Sequence, residues 1–194
     1  MKLGFTLGCL ALVLSGCMTQ GERTALLNGP YPLDVNNSRS VEESLGAGKY
    51  NHVSSDITAA NFPSRESGQE KITAVLVPFS PQASLDSVLG RQAAAGFRPA
   101  TLNELLAFGE AYPEVQRKLP VIALGSSADL VVMVYYPDSH SDMKIFPMPM
   151  RYDYRVMREY PFLGDGLSGR IVSLDWLDNP EGYSMYYACF VKAG

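Results

Sequence analysis

Two serines, an aspartate and a histidine in the middle of the chain have the residue types that hydrolytic chemistry uses. Ser126 and Ser127 follow an apolar run, and Asp129 and His140 come soon afterwards. A serine becomes nucleophilic when a histidine takes its proton and an acid orients that histidine. The G-x-S-x-G turn that exposes such a serine in α/β hydrolases does not occur here. These four residues therefore lack the sequence motif that would identify a hydrolase of this kind.

Metal binding is the second chemistry to consider. His52 and His140 are the only histidines, and they lie far apart without the cysteine or carboxylate spacing of a zinc site. Asp175, Asp178 and Asn179 offer the hard oxygen ligands that Ca²⁺ prefers. The alternative is a solvated strand end before a proline turn. Apart from these three candidate calcium ligands, the sequence predicts no metal site.

Three glycines match the G-x-G-x-x-G spacing of dinucleotide-binding loops, namely Gly164, Gly166 and Gly169. In such loops a helix follows, and its N-terminus receives the pyrophosphate. Here a predicted strand follows, so the glycines predict a turn. We expect no cofactor.

Segment 146–155 alternates strictly between apolar and other residues, which predicts an extended chain with one apolar face. The apolar positions are Phe146, Met148, Met150, Tyr152 and Tyr154. Prolines at 147 and 149 remove backbone donors on one side, as in an edge strand. The apolar stripe belongs either to the core or to an exposed surface that binds a partner.

Arginines accompany this stripe and extend the candidate surface. Arg151, Arg155 and Arg158 beside two tyrosines can hold a carboxylate or a sugar acid through bidentate bonds and stacking. Alternatively, they keep an edge strand soluble. The candidate binding residues are Phe146, Met148, Met150, Arg151, Tyr152, Tyr154 and Arg155.

The beginning of the chain has the pattern of an export signal. Lys2 precedes twelve mainly apolar, uncharged residues at 3–14, a length that suits a signal peptide and is too short for a transmembrane helix. The following run Leu14-Ser15-Gly16-Cys17 is similar to the lipobox of bacterial lipoproteins. The alternative is an ordinary secretory signal with a chance cysteine. We therefore expect residues 1–16 to be cleaved and Cys17 to be lipidated.

The resemblance to bacterial lipoproteins implies a location and a partner. Two or three acyl chains at Cys17 would anchor the chain to a membrane in the cell envelope, outside the cytoplasm. Residue 18 is Met rather than the Asp that retains such proteins in the inner membrane, so the outer membrane is expected if the cell has two. Loss of Lys2 changes the formal charge from −4 to −5, which argues against nucleic acid as a partner.

Removal of residues 1–16 leaves 178 of the 194 residues, and their cysteine content limits the disulfides that can form. Cys9 leaves with the signal and Cys17 carries lipid, so Cys189 is the only thiol and no internal disulfide can form. Cys189 lies in an apolar run, which predicts a small buried hydrophobe. The alternative is a reactive or intermolecular thiol.

Composition and periodicity divide the mature chain into two parts. Residues 17–49 are rich in Gly, Asn and Ser without an apolar period, which predicts a flexible tether. Residues 50–194 predict one globular domain. It begins with a β-branched strand at 72–79, followed by a helix from Ser84 to Gly96.

A second helix and a series of strands complete the predicted domain. Thr101 and Glu104 form a capping box ahead of a leucine stripe. Strands are predicted at 121–124, 130–136, 171–177 and 183–191, the last apolar on both faces as in a central strand. The fold class is therefore α+β, with two N-terminal helices packed on a mostly antiparallel twisted sheet.

The run at 96–109 (GFRPATLNELLAFG) resembles a signature of uncharacterised bacterial proteins. It is also distantly similar to the C-type lectin-like superfamily with its sulfatase-modifying branch, in which an Arg-x-Pro-Thr-like segment opens the second helix. The resemblance implies that the strand at 72–79 pairs with the one at 183–191 and that the domain binds a ligand. Lectin-type disulfides cannot form here, and the catalytic cysteine pair of the sulfatase-modifying branch is absent.

The leading hypothesis is a membrane-anchored module of the cell envelope that binds a glycan or an envelope protein through segment 146–158. One alternative is an envelope enzyme acting on glycan or peptide, and another is a structural envelope protein. Exposed aromatic and Met residues on a strand would favour binding. Carboxylates that converge in one cleft with perturbed pKa values would favour an enzyme.

Overall fold

A computed structural model describes residues 18–27, 29–64, 66–79, 84–137, 150–175 and 186–193. These residues form helices and one large, mostly antiparallel sheet, so the predicted α+β class is confirmed. The helices are α1 (Gln20–Leu27), α2 (Val41–Gly48), α3 (Leu85–Ala94), α4 (Leu102–Ala111) and α5 (Pro113–Gln116). The strands are β1 (Tyr31–Asn36), β2 (His52–Val53), β3 (Gln69–Phe79), β4 (Phe97–Pro99), β5 (Val121–Ala123), β6 (Ala128–Pro137), β7 (Met150–Gly166), β8 (Gly169–Asp175) and β9 (Tyr186–Lys192).

The sheet has the strand order β1-β3-β9-β5-β7-β8-β2, with β4 added to β9 and β6 added to β7. Among the described strand pairs, β5–β9 and β2–β8 are parallel and the others are antiparallel. Strand β9 is central and buried from Tyr186 to Val191, as its apolar sequence predicts. It pairs antiparallel with β3, which is the pairing that the lectin-like resemblance implies. The lectin-like family itself stays a prediction.

The predicted helix boundaries follow from local chemistry. Ser84 precedes α3, and Gly96 after it has φ +81°, a left-handed conformation that glycine adopts without strain. At the start of α4, the backbone amide of Thr101 donates to the carboxylate of Glu104, as the capping box predicts, and the Thr101 hydroxyl donates to the same carboxylate. Arg98 also donates two hydrogen bonds to that buried carboxylate, at 2.8 and 2.9 Å.

The two main helices pack on opposite faces of the sheet. Helix α4 buries Leu105 and Phe108 against the face that carries Cys189 and Val121. On the other face, Val88 of α3 and residues of β5 and β9 form a second apolar cluster. Because β9 has apolar residues at both odd and even positions, it contributes to both cores.

The predicted flexible tether at 17–49 is wrong for most of that segment. Strand β1 pairs with β3 over six residues and buries Tyr31, Leu33 and Val35. Helix α2 begins with a capping box between Ser40 and Glu43. Residues 31–36 alternate between apolar and polar types, which is a strand signal, but the segment is only six residues long and is flanked by Gly, Asn and Ser. Its burial depends on β3, more than thirty residues away.

A buried arginine joins four distant parts of the chain. Arg170 is 7% exposed, and its guanidinium donates to the carbonyls of Gly48 (2.7 Å) and Gly109 and to the side-chain oxygen of Gln116 (2.7 and 3.0 Å). The guanidinium carbon also lies 4.8 Å from the ring centre of Tyr50. Each guanidinium nitrogen therefore donates to at least one acceptor and the Tyr50 ring lies beside the charge, which offsets the cost of burying it.

Candidate functional site

Strand β6 and the first ten residues of β7 form a two-stranded antiparallel ribbon beside the main sheet. Its register runs from Ala128 opposite Glu159 to Pro137 opposite Met150. From Tyr160 onward β7 pairs with β8 instead. Ten residues of extended chain span about 34 Å. We call residues 128–137 and 150–159 the β6–β7 ribbon.

One face of the ribbon is apolar and exposed. Residues opposite each other in an antiparallel pair share a face, and the next pair on that face lies two positions along. Val131 lies opposite Val156, and their exposed fractions are 69% and 70%. Tyr154, opposite Met133, is also 69% exposed. We call the face that carries Val131, Val156 and Tyr154 the apolar face.

The opposite face of the ribbon packs at its base against the body of the protein. Leu130 contacts the main core, and Ala128 is buried. Glu159, opposite Ala128, is 8% exposed, and its burial, followed by the nearby Asp56 and Asp175 carboxylates, raises its pKa. Because this face is used for packing, the apolar face is turned towards solvent.

An ion pair flanks the apolar face at its base. The guanidinium of Arg158 donates to both carboxylate oxygens of Asp129, at 3.0 and 3.3 Å, and this bidentate bond lowers the pKa of Asp129. Both side chains are more than half exposed. The pair aligns the two strands but contributes little to stability, because solvent screens exposed charges.

The predicted binding residues fall into three groups. Phe146 and Met148 lie outside the described residues. The structure describes only the backbone of Met150, Arg151 and Tyr152, which continue the strand of the ribbon.

The side chains of Tyr154 and Arg155 are described, and both are exposed. The core alternative is therefore wrong at Tyr154. Sequence reasoning missed Val131, because an apolar run such as 130–136 indicates a strand without showing which positions other elements will cover.

The predicted hydrolytic residues are not assembled in the described part of the chain. The Ser126 hydroxyl accepts a hydrogen bond from the backbone amide of Leu102 at 2.9 Å, and Asp129 is paired with Arg158. His140 lies outside the described residues. Ser126 and Ser127 line a polar cleft of about 620 Å³ beside the start of α4.

The candidate calcium ligands and the glycine motif lie at the two ends of β8. Asp175 accepts a hydrogen bond from the Tyr186 hydroxyl, whereas Asp178 and Asn179 lie outside the described residues. Within the described ranges, no group of three His, Cys, Asp or Glu side chains is placed to hold a metal ion. The glycine motif forms the turn between β7 and β8, where Gly166 pairs with Gly169, so the predicted turn is confirmed.

The predicted mature chain has two cysteines, and of these the structure describes Cys189. Cys17 and the export signal at 1–16 lie outside the described residues. Cys189 is fully buried in β9, and desolvation raises the pKa of its thiol. It packs as the small hydrophobe that its sequence context predicts. In the described part of the chain, the helices are shorter or less apolar than a membrane-spanning helix requires.

Comparison with known proteins returned no matching family model, no similar curated protein and no similar solved structure.

Proposed function

We propose that this chain is a lipoprotein of the cell envelope, anchored through Cys17, and that it binds another envelope protein through the apolar face of the β6–β7 ribbon. The observation that carries the proposal is the exposure of Val131, Val156 and Tyr154 on one face, each by about 70%. The lipobox-like run at 14–17 supports the anchor.

The energetics of the ribbon favour a protein partner. Fully burying an aliphatic side chain contributes about 1.5–3 kcal/mol, so a partner that covers the valine pair and Tyr154 would gain several times the thermal energy. Aromatic residues such as Tyr154 are common at protein interfaces. An isolated two-stranded ribbon is also marginally stable in water, so a partner that covers it would stabilise it.

The unpaired edge of the ribbon offers a second source of affinity. Among the described strands, β6 pairs with β7 alone, so its outer edge has no strand partner within the described residues. A partner strand added to that edge would form main-chain hydrogen bonds while its side chains cover the apolar face. This combination suits a polypeptide better than a glycan, which has no strand to add.

Site-specific photo-crosslinking in living cells tests the binding surface. A photoreactive amino acid at position 131 or 154 should crosslink to the same envelope protein, identified by mass spectrometry. The matched control is position 114, because the Glu114 side chain is 81% exposed and lies in α5, outside the ribbon. Val156→Asp should abolish the crosslinks from 131 and 154. Equal crosslinking from 114, or crosslinks that survive Val156→Asp, would contradict the binding proposal.

Mass spectrometry of the mature protein tests the anchor. We expect a chain that begins at Cys17 and carries the mass of two or three acyl chains. Cys17→Ser should release the protein from the membrane fraction. A mature chain that keeps Met1, or an unmodified Cys17, would contradict the anchor without bearing on the ribbon.

A further inference from the structure

Three distant segments of the chain meet around the polar cleft beside the start of α4. We keep the name polar cleft for the space lined by residues 60–64, 66, 101–103 and 125–127. Ligand sites in proteins usually enclose about 300–1,000 Å³, and this cleft has about 620 Å³. The cleft lies outside the β6–β7 ribbon and does not involve Cys17, so an inference about it goes beyond the proposed function.

One wall of the polar cleft belongs to a long connection between β2 and β3. Its described residues, 54–64 and 66–68, form neither helix nor strand. Phe62 fixes this connection to the main core with an exposed fraction of 5%, and the Asn61 side-chain amide donates to the Asp56 carbonyl at 2.9 Å. Connections of this length are uncommon in compact domains, and ordered ones usually carry a functional site.

Hydrogen bonds between the segments hold the walls in place. The Ser126 hydroxyl accepts from the backbone amide of Leu102 at 2.9 Å. The Asn103 side-chain amide donates to the Ser64 hydroxyl at 3.1 Å and to the side-chain oxygen of buried Asn37 at 3.3 Å. The polar cleft is therefore preorganised, which reduces the entropy that ligand binding has to offset.

The lining offers groups that both donate and accept hydrogen bonds. The described residues that contribute hydroxyl or side-chain amide groups are Asn61, Ser64, Thr101, Asn103, Ser126 and Ser127. The Ser127 hydroxyl makes no hydrogen bond to another described residue, and the same holds for the side-chain oxygens of Asn61 and Asn103. A ligand hydroxyl also both donates and accepts, so a ligand rich in hydroxyl groups suits this lining. Phe62 and Pro63 supply apolar surface against which the C–H face of a sugar ring can pack.

The charges around the polar cleft disfavour an anionic ligand. Glu66 is the one charged residue among the described residues of the lining, and it is exposed. The N-terminus of α4 would attract an anion, but its first amide, that of Leu102, is already bonded to Ser126. The carboxylate of Glu104, 1% exposed, also places a negative charge in the first turn. A neutral ligand therefore suits this site better than an anion.

We propose that the polar cleft binds a neutral saccharide, whose hydroxyl groups bond to Asn61, Asn103 and Ser127. The bonds that fix the walls leave these three side chains with unused hydrogen-bonding capacity at the cleft. The chain then carries two separate surfaces, the ribbon for a protein and the polar cleft for a sugar.

Saturation-transfer NMR on the full chain tests the proposal. The neutral probes are glucose, galactose, mannose and N-acetylglucosamine, and the contrasting probes are glucuronate and the blocked peptide N-acetyl-trialanine amide. We expect transfer to at least one neutral sugar and less to the sugar acid and the peptide. Ser127→Trp should remove the transfer, because a ring at this exposed position fills the cleft without breaking a hydrogen bond between described side chains. Ser87→Trp, at an exposed position on α3, is the matched control and should retain it.

Two further variants keep the result decisive. Circular dichroism checks the fold of Ser127→Trp, and the smaller Ser127→Leu should weaken transfer in the same direction if the tryptophan disturbs the fold. Val156→Asp on the ribbon should leave the transfer unchanged, so a failure here is distinguishable from a failure of the proposed function. Absence of transfer to all the neutral sugars, transfer that survives both changes at 127, or stronger transfer to glucuronate or the peptide would overturn the proposal.

Discussion

Val131 and Val156 lie directly opposite each other on the β6–β7 ribbon, and neither is covered by the body of the protein. A cross-strand valine pair stabilises the ribbon through mutual contact. It also leaves apolar surface in water that a partner would cover.

Replacing both valines with threonine should therefore change the surface and leave the fold intact. Val131→Thr with Val156→Thr keeps the β-branched shape, so we expect the free energy of unfolding to change by less than about 0.5 kcal/mol. Urea unfolding checks this. Val121→Thr is the control, because it places a hydroxyl at a fully buried position and should cost about 1–3 kcal/mol. A large loss of stability in the double variant would show that the valines are covered.

The buried guanidinium of Arg170 should be essential for stability. Arg170→Met would leave the carbonyls of Gly48 and Gly109 and the side chain of Gln116 without donors, at about 1–3 kcal/mol for each unsatisfied group. We expect a total loss of at least about 3 kcal/mol in urea unfolding. Arg117→Met on the surface is the control and should be nearly neutral. Equal stability of the two variants would contradict this role.

Two glycines in helix α2 should respond oppositely to alanine. A Cβ on Gly48 would lie 2.2 Å from the ring of Tyr50, whereas a Cβ on Gly46 would meet nothing within 4 Å. Gly48→Ala must displace a packed ring, and we expect a loss of about 1–3 kcal/mol. Gly46→Ala should stabilise by about 0.5–1 kcal/mol, because alanine loses less backbone entropy in a helix. Thermal unfolding of both variants gives the comparison.

The raised pKa of Glu159 predicts a pH-dependent penalty. The folded state binds this proton more tightly than the unfolded state, so stability falls as the pH rises from the ordinary value of 4.5 through the raised folded-state pKa. Glu159→Gln removes the charge and should unfold at higher urea concentration than the native chain at pH 7. Below pH 4.5 the difference should disappear. Glu70→Gln on the surface is the control, and a Glu159→Gln difference independent of pH would contradict the prediction.

Local sequence signals predicted those parts of the fold whose chemistry is local. The capping pair Thr101 and Glu104 and the helix-ending Gly96 act within a few residues, so they could be read without a structure. The central position of β9 also follows from its sequence, because a strand covered on both faces must be apolar at every position.

Contacts between distant segments account for what the sequence did not show. The burial of β1 depends on β3, which pairs with it, and on α4, which packs against it, whereas its alternating sequence is only six residues long. Arg170 has the same parity in β8 as the buried Val172, but its charge predicts exposure, and its acceptors on Gly48, Gly109 and Gln116 come from distant segments. In both cases the covering residues lie far away in the sequence, so neighbouring residues do not identify them.

The sequence by itself determined the fold class, the starts of α3 and α4, the glycine after α3, and the existence of an apolar extended segment around residue 154. Only the tertiary structure decided that β6 pairs with that segment, that one face of the pair is left exposed, and that Met18 packs against the core. The reason is physical. Helix and strand propensity and helix capping depend on neighbours in the chain. Burial depends on which distant segment packs against a side chain.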